Sequence, residues 1–392
     1  MRKLIFLLPV AAFLTTTGIK AQTEFSFART DSLTYALYQR AEWKSLLQYG
    51  KEAINHGQDF ILLRLRTGLA AFMLGNYSEA IRQYEAVLRE DAYNSTAHYY
   101  IYYCRMNLNQ PELALSEARY LPDAAVAEKE TRPAALTHAG LELSVKYTSV
   151  SRRGNSFYSN ISFGNRLGRG FHIYQSVAVY RQMINEPLLP AVVENNRIQI
   201  RQTEYYNRLL FNLGRHWQVK TAYHYLNTPF SNFNYHNHLL LLGAKYYGDY
   251  LELQADIVLG KLTGSSVRQY NLQLGLYPKG NMGVYGFSTA TIRQQGQSAF
   301  NFRQVLGVRV LKQTWLEGHI TAGGFSNLAE NDALYVYHAI DPNKSKAGLT
   351  AYLLLKGGLK IQAGYTYEQR RLYGTVTNFS QHSITGGISW KF

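Results

Sequence analysis

Residues 251–257 read LELQADI, in which apolar side chains alternate strictly with glutamate, glutamine and aspartate. Successive side chains of a β-strand point to opposite faces of a sheet, so this alternation predicts a strand with one apolar and one polar face. The same period of two recurs at 141–147, 270–276, 359–368 and 382–392. An apolar face towards lipid and a polar face towards a lumen are typical of transmembrane β-barrels. The C-terminal part of the chain is therefore predicted to be an outer-membrane β-barrel.

Counting such segments from residue 141 to residue 392 gives an antiparallel barrel of about 14 strands, within a range of about 12 to 16. The predicted strands are 141–150, 157–167, 170–182, 196–212, 216–226, 235–247, 250–261, 267–277, 282–293, 299–311, 314–325, 346–356, 358–370 and 380–392. Every second connection is short, as at 212–215 and 247–250, and the others are mostly longer, up to 326–345. Outer-membrane barrels have short periplasmic turns and longer outer loops, so both barrel ends are expected in the periplasm.

The end of the chain also favours a membrane barrel. A soluble β-sandwich or a water-soluble barrel would bury one apolar face equally well, and stays an alternative. The chain ends in Trp390-Lys391-Phe392. A terminal aromatic residue after an alternating strand resembles the signal that the barrel assembly machinery reads in bacterial outer-membrane proteins. We therefore predict Trp390 and Phe392 as an assembly signal, and this machinery as a partner.

Residues 1–21 have the layout of a secretory signal peptide. A basic start precedes the apolar run LIFLLPVAAFL at 4–14, which is too short to cross a bilayer as a helix. No uncharged apolar run of about 18 residues follows, so no transmembrane helix is predicted. We expect a protein exported by a Gram-negative bacterium. Its single Cys excludes a disulfide within the chain.

A repeat lies between the signal peptide and the barrel. Leu46, Ala80 and Ala114 occupy equivalent positions 34 residues apart, which is the period of tetratricopeptide repeats. Each unit of such an array is a helical hairpin that buries its apolar face by stacking on its neighbours. Residues 22–140 are therefore predicted to be an all-α, tetratricopeptide-like domain in the periplasm that binds a protein or peptide. A purely structural spacer stays the alternative.

The middle unit, residues 61–94, resembles the tetratricopeptide family most closely. Gly68 is the small residue of its first helix, Ala80 is the small residue at the helix crossing, and Tyr84 is the large partner of Ala80. The positions assigned to the partner-binding fold are Gly68, Tyr77, Ala80, Tyr84 and Ala114.

Helical spacing also predicts which residues form the core of this domain. The predicted core residues are Ile61, Leu62, Leu65, Leu69 and Phe72. Cys104 lies in the apolar stretch 99–106 and is expected to be a buried apolar residue rather than a reactive thiol.

The net charge of +15 is concentrated in the barrel. Residues 1–140 carry 15 Lys and Arg against 14 Asp and Glu, whereas 141–392 carry 26 against 12. A basic chain is common among nucleic-acid-binding proteins, but export argues against that partner. The predicted topology puts most of the barrel's basic residues at its two rims, near the phosphates of lipid and lipopolysaccharide. The residues assigned to this lipid-phosphate rim are Arg152, Arg153, Arg169, Arg215, Arg370 and Arg371.

No motif for catalysis, cofactor binding or metal binding stands out. His236 and His238 share a strand face, but no Cys or carboxylate partner is evident, so a metal site is not predicted. Neither a nucleophile elbow nor a Gly-rich phosphate loop is apparent. We expect no enzyme and no cofactor. An active site assembled from distant strands, as in barrel hydrolases, stays open.

Helical repeats followed by a barrel resemble two groups of outer-membrane proteins. One group is the polysaccharide-export porins, which join a periplasmic tetratricopeptide superhelix to a larger barrel. The other is the YaiO-like proteins, often small repeat-plus-barrel chains of Bacteroidota. The order of parts and the size fit the second group. The likeness is architectural and covers most of the chain after the signal peptide.

Three functions follow from this architecture. The first expectation is a scaffold or accessory subunit, anchored by the barrel, of an envelope secretion, assembly or export complex. The first alternative is a transport pore for polysaccharide or small solutes, and the second is a barrel enzyme acting on lipid or glycan. A selective anion pathway needs charge at a constriction, but inward mid-strand Lys220, Asp256 and Arg303 mix signs. The bulky inward residues that favour a filled lumen are Tyr174, Tyr180, Tyr277 and Tyr352.

Overall fold

The protein consists of a set of helices followed by a closed β-barrel. The computed structural model describes residues 25–392, apart from 122, 125–127, 129–130, 169, 186–196, 231–232 and 339. The predicted signal peptide, residues 1–21, lies outside the described residues.

The helices follow the 34-residue period. In the described N-terminal part they are α1 (Phe27–Gln39), α2 (Trp43–Asn55), α3 (Ile61–Met73), α4 (Tyr77–Glu90), α5 (Ser95–Asn107) and the short α6 (Pro111–Ala114). The starts of α1, α3 and α5 are 34 residues apart, and so are those of α2, α4 and α6. Side chains of Ser26, Asn76 and Asn94 cap α1, α4 and α5 by accepting hydrogen bonds from backbone N–H groups of the first turn. None of these described helices is long and apolar enough to cross a membrane.

Consecutive helices pack around an apolar core. A Cβ at Gly68 would lie 2.9 Å from the Tyr84 ring, so the glycine lets α3 and α4 approach closely. Cys104 is buried, as predicted. The predicted core residues Ile61, Leu65 and Phe72 pack at the edge of this core, and Leu69 is partly buried. Leu62 is 52% exposed, so its prediction is wrong: it lies on the side of α3 that faces away from the neighbouring helices.

The rest of the described chain is β-structure. Its strands are β1 (Ala134–Thr148), β2 (Arg153–Gly168), β3 (Phe171–Asn185), β4 (Arg197–Leu213), β5 (Trp217–Phe230), β6 (Phe233–Tyr247), β7 (Leu251–Leu262), β8 (Ser265–Leu276), β9 (Val284–Gln295), β10 (Gln297–Leu311), β11 (Thr314–Phe325), β12 (Ala329–Glu330), β13 (Tyr335–Val336), β14 (Asn343–Leu354), β15 (Leu359–Arg371) and β16 (Asn378–Lys391). All except the short β12 and β13 belong to the barrel, and those two form a separate hairpin.

The barrel of the described residues has fourteen antiparallel strands, which confirms the predicted number. Neighbours in sequence are neighbours in the sheet, β14 follows β11, and β16 pairs with β1 to close the ring. At this closure Leu141 lies opposite Ile388 and Val145 opposite Ile384. The sheet starts at Ala134, earlier than the predicted boundary at residue 141. Residues 134–140 extend β1 across a register irregularity. The prediction missed them because their sequence lacks a clear alternation.

The barrel has its apolar face outside and its polar face inside, which is the reverse of a soluble protein. Leu251 and Leu253 are 40% and 44% exposed on the outside, whereas Glu252 between them is 2% exposed on the inside. The same arrangement holds on β1, where Leu141 and Leu143 face outwards. A closed sheet with an apolar outer band and a polar interior is stable in hydrocarbon, where it leaves no strand edge unpaired. The barrel therefore spans a membrane, and the soluble alternatives are excluded.

The connections differ in length less regularly than predicted. Long connections join β3 to β4, β11 to β14 and β15 to β16 at one end of the barrel, which we call the loop end. At the same end, tight turns join β7 to β8 and β9 to β10. Thr263, Gly264 and Gly296 in these turns have positive φ, as tight hairpins with twisted strands require. We call the opposite end, where β4 meets β5 and β6 meets β7, the turn end.

Candidate functional site

The long connection between β11 and β14 folds into the lumen. We call residues 326–338 and 340–342 the plug. Its short hairpin, β12 with β13, contacts side chains from strands on several sides of the barrel. The sequence predicted an outer loop here. The structure differs because the plug carries acidic side chains and backbone carbonyls that find partners on the inner wall.

The tip of the plug is held by charge. Asp332 forms ion pairs with Lys220 and, at 2.9 Å, with the Nη1 atom of Arg208. Gln254 donates a third hydrogen bond to the carboxylate, at 3.1 Å. Lys220 is 3% exposed and the Asp332 side chain 15%, so water screens these ion pairs much less than it screens surface pairs.

Two more ion pairs hold the plug, one at its root and one beside its tip. Arg153 donates two hydrogen bonds to Asp341, at 2.6 and 2.8 Å, in the bidentate geometry that favours Arg–carboxylate pairs. Glu330 pairs with Lys346 at 2.5 Å. All four side chains are less than one tenth exposed. Removing one partner would leave the other charge buried and unpaired, which is costly.

Side chains of the wall also satisfy the backbone of the plug. The Gln269 amide donates to the carbonyl of Ala329 at 2.7 Å and accepts from its N–H at 3.1 Å. Tyr206 donates to the carbonyl of Asp332 at 2.9 Å. Ala329 and Ala333 also pack in an apolar cluster on the inner wall. The plug is thus bound by charge, hydrogen bonds and apolar contact together.

The backbone at the tip is unusual. Asn331, Asp332 and Ala333 have φ values of 53°, 57° and 63°. Left-handed conformations cost about 1 kcal/mol or more for residues other than glycine, and persist where the surroundings favour them. The ion pairs of Asp332 supply such surroundings.

The plug leaves part of the lumen unfilled. A cavity of about 820 Å³ lies between the plug and the wall. Tyr174, Tyr180 and Tyr352 line it, so these predicted inward residues do face the lumen. They do not fill it, and Tyr277 instead donates a hydrogen bond to Glu252. Other groups that line the cavity are Glu142, Tyr158, Arg208, Arg303, Glu317 and Lys360.

The helices contact the turn end of the barrel. The Ser78 N–H donates to the carbonyl of Gly280, and the Asn281 side chain donates to the carbonyl of Gly75 at 2.7 Å. On the far side of the ring, the Nζ atom of Lys391 lies 3.5 Å from the Asn109 side chain. Because these contacts lie on opposite sides of the ring, the helices span the mouth. We call this set of contacts the seam.

Two ion pairs contribute to the seam. Glu117, which follows α6, pairs with His98 and with Arg215 of the turn between β4 and β5. Burial by itself would raise the pKa of Glu117, but the hydrogen bond from His98 and the charge of Arg215 outweigh it and lower that pKa. Glu85 lies 3.3 Å from His216, and its hydrogen bond raises the pKa of the His216 imidazole.

The predicted partner-binding positions are mainly packing positions. Gly68, Ala80, Tyr84 and Ala114 are buried between helices, and Tyr77 packs against the same core. They shape the hairpins, and a partner would contact other residues. Binding of a partner through the helices stays a prediction.

The arginines predicted to form the lipid-phosphate rim lie in different environments in the structure. Arg153 and Arg370 are buried in the lumen, where they pair with Asp341 and Glu368, so a lipid role for these two is wrong. Arg215 contacts the helices. Arg371 is exposed and Arg152 partly exposed near the loop end, while Arg169 lies outside the described residues. The alternation gives the height of a residue on a strand but not its partner in the lumen. Asp341 comes from the inserted plug, whereas Glu368 lies on β15 together with Arg370.

The remaining predicted residues lie on the outside of the barrel. Trp390 and Phe392 stack with ring centroids 5.4 Å apart and are about half exposed, and their role in assembly stays a prediction. His236 and His238 are exposed and bind Tyr225 and Tyr223, at 2.6 and 2.7 Å. Within the described residues no group of three or more His, Cys, Asp or Glu could hold a metal ion.

The sequence predictions missed the residues that hold the plug. Lys220 was noted as an inward mid-strand charge, but Asp332 lies in a connection without periodicity. The two are 112 positions apart in the chain. The available signal was Lys220 itself. A lysine that faces inwards on an otherwise apolar or neutral stretch of strand indicates that another part of the chain supplies an acidic partner.

Comparisons with known proteins find solved structures of low sequence identity. No protein-family model and no curated protein matches the chain. Among solved structures, the Pseudomonas putida toluene transporter TodX shares 9% identity with it, over 65% of this chain and 89% of that one, with a TM-score of 0.43. A Pseudomonas aeruginosa FadL homologue shares 10%, over 70% and 92%, with a TM-score of 0.45. A bacterial polysaccharide outer membrane secretin shares 7%, over 66% and 98%, with a TM-score of 0.39.

The structure of the lumen corrects the expected function. The chain is a closed β-barrel of outer-membrane type, preceded by helices. Its own lumen holds a cavity and an inserted plug rather than a solid filling of wall side chains. The first expectation, a scaffold or accessory subunit of an envelope complex, is therefore wrong, and the transport-pore alternative is the better supported.

Proposed function

We propose that the protein is a gated outer-membrane channel for small hydrophilic solutes. The observation that carries this proposal is the polar cavity of about 820 Å³ beside a plug held by reversible contacts. Barrels of about eight strands are filled by their own side chains, whereas those of about sixteen leave an aqueous channel. A fourteen-stranded barrel has room for a path, and the plug occupies part of it.

The chemistry of the lining favours hydrophilic solutes. Carboxylate, amide, tyrosine and basic groups face the cavity, as Glu142, Gln362, Tyr352 and Lys360 do. Such groups replace part of the hydration shell of a polar solute. No catalytic step and no cofactor is part of the proposal.

The helices would serve this channel from the periplasm. The 34-residue spacing of their starts and the contact of Gly68 with Tyr84 support a tetratricopeptide-like array. With the long loops outside, the turn end and the helices lie in the periplasm. There the helices would receive a periplasmic protein or peptide, and solutes would pass beside them, since the seam consists of a few polar contacts. Outer rim residues such as Arg371 would contact lipid phosphates.

Release of solutes from vesicles tests the proposal. The full chain and a variant in which Gly-Ser-Gly replaces residues 328–340 would be reconstituted into lipid vesicles loaded with small sugars and with a large dextran. We expect slow sugar release by the wild type, much faster release by the variant, and retention of the dextran by both.

Heat-modifiable migration and circular dichroism would check that the variant is folded. If a folded variant released sugar no faster than protein-free vesicles, the proposal would be overturned. Release of the dextran by the variant would also contradict it, because a barrel of this size cannot pass so large a polymer.

A further inference from the structure

The inner wall carries a basic site that is occupied by the chain's own carboxylate. Arg208 of β4 and Lys220 of β5 both bind Asp332. Lys245 of β6 is a neighbour, and it pairs with Glu252 at 2.5 Å. Three adjacent strands therefore bring three cations together within the lumen.

This site is built for an oxyanion. Gln254 adds a neutral donor to the two cations that bind the Asp332 carboxylate. The ring of Tyr174 lies against the Arg208 guanidinium, with its centroid 5.4 Å from Cζ, and orients it. The Nε atom of Arg208 has no hydrogen-bond partner among the described residues, so the guanidinium has a donor to spare. An arginine fork with a spare donor can bind a second oxygen of a carboxylate.

The neighbouring acidic groups leave the site positive once Asp332 departs. Glu252 is engaged by Lys245 and by Tyr277. Asp256 accepts hydrogen bonds from Gln254 and Asn271. Lys220 would then be a buried cation and Arg208 a partly buried one, both without a directly bound carboxylate, which is an unfavourable state unless another anion enters.

The plug tip is suited to leave. Ala333 at the tip holds a left-handed backbone that is unfavourable for alanine, and release of Asp332 would allow it to relax. The cavity lies next to the site, because Arg208, Lys245, Gln254 and Asp332 all line it. A solute in the cavity can therefore reach the groups that hold the tip.

We infer that Arg208 and Lys220 form a binding site for the carboxylate group of a small anionic solute, which displaces Asp332 and so releases the plug. Asp332 acts as a built-in competitor for the solute. The inference rests on the proposed channel function. It adds the class of solute and the event that opens the channel, which is the displacement of Asp332. A solute at ten times its dissociation constant for the released state would raise the population of that state about tenfold.

Planar-bilayer recordings of the full chain test this inference. Succinate is the probe, and succinamide, which has a similar shape without charge, is the control solute. For the wild type we expect succinate to raise the open probability about tenfold and succinamide to leave it unchanged. In Asp332→Asn the open probability should be high without succinate. In Arg208→Gln the response to succinate should be lost.

A matched control is Lys344→Gln, which removes an exposed lysine near the root of the plug and should respond like the wild type. An equal response to succinate and succinamide would overturn the inference, as would a full response in Arg208→Gln. The variant that lacks residues 328–340 separates the two proposals. If it conducts and the wild type ignores succinate, only the anion site fails. If it is folded and silent, the channel itself fails.

Discussion

Single residues decide how the plug and the seam are held. Arg153 and Asp341 fix the root of the plug with two hydrogen bonds in a site where both side chains are buried. Gly280 fixes the seam: with φ of 62° its carbonyl accepts from the Ser78 N–H, and a Cβ there would lie 2.0 Å from the Asn76 side chain. Each residue can be tested beside a control that shares its chemistry but not its contacts.

Arg153→Gln should loosen the plug. The change leaves Asp341 buried without its cation, which costs about 3 kcal/mol in comparable pairs. Since about 1.4 kcal/mol is a factor of ten in an equilibrium, we expect sugar release from vesicles to rise more than tenfold. Lys344→Gln is the control, because Lys344 is exposed. Equal release by both variants would show that the Arg153–Asp341 pair does not hold the plug.

Gly280→Ala should loosen the seam. Alanine is strained at positive φ by about 1 kcal/mol, and its Cβ would clash with the Asn76 side chain. The control is Gly214→Ala, where φ is 69° but nothing lies within 4 Å of the added Cβ. Hydrogen exchange of the Ser78 amide should become about tenfold faster in Gly280→Ala, and should stay unchanged in Gly214→Ala. No difference between the variants would mean that the helices are held elsewhere.

At the scale of elements, the strands were predictable and the plug was not. Several barrel strands carry their own alternation, as Leu251 to Ile257 does, so such a strand can be predicted from a few neighbouring residues. The plug depends on partners far away in the chain: Arg153 and Asp341 are 188 positions apart. The lipid role predicted for Arg153 is wrong for the same reason, because its partner Asp341 belongs to the plug. Arg370 differs, since its partner Glu368 lies on the same strand, β15. The helices were predictable from the 34-residue period, but their docking on the turns was not.

The seam between the helices and the turns should depend on pH. Because Glu85 raises the pKa of His216 in the docked state, the charged imidazole stabilises docking. This stabilisation is fully present below the ordinary histidine pKa of about 6.5 and is lost as the pH rises through the raised pKa. Urea unfolding of the helices in lipid nanodiscs should therefore have a lower midpoint at pH 8.5 than at pH 6.

His216→Gln provides the comparison for this pH effect. Glutamine still donates a hydrogen bond to Glu85 but does not titrate in this range, so the part of the pH dependence that comes from the imidazole should disappear. If the wild type and His216→Gln showed the same change of midpoint with pH, the His216–Glu85 pair would not link docking to pH.

For the whole molecule, the structure combines a membrane barrel with two further parts along one axis. The plug lies inside the lumen, and the helices span the turn end. The contacts of both are mostly polar, so small changes in charge can shift them, as the ion pairs of Asp332 and Glu117 illustrate. The +15 net charge fits this arrangement in part: several barrel cations, Lys220 and Arg153 among them, neutralise acids of the plug rather than lipid phosphates.

The central claim is that the plug alone keeps the lumen from conducting. Its most direct test is the single-channel current, in planar bilayers, of the folded variant in which Gly-Ser-Gly replaces residues 328–340, recorded beside the wild type. If the claim holds, the variant shows long-lived unitary currents and the wild type shows rare, brief openings. Currents from the folded variant that are no more frequent or longer than those of the wild type would contradict it.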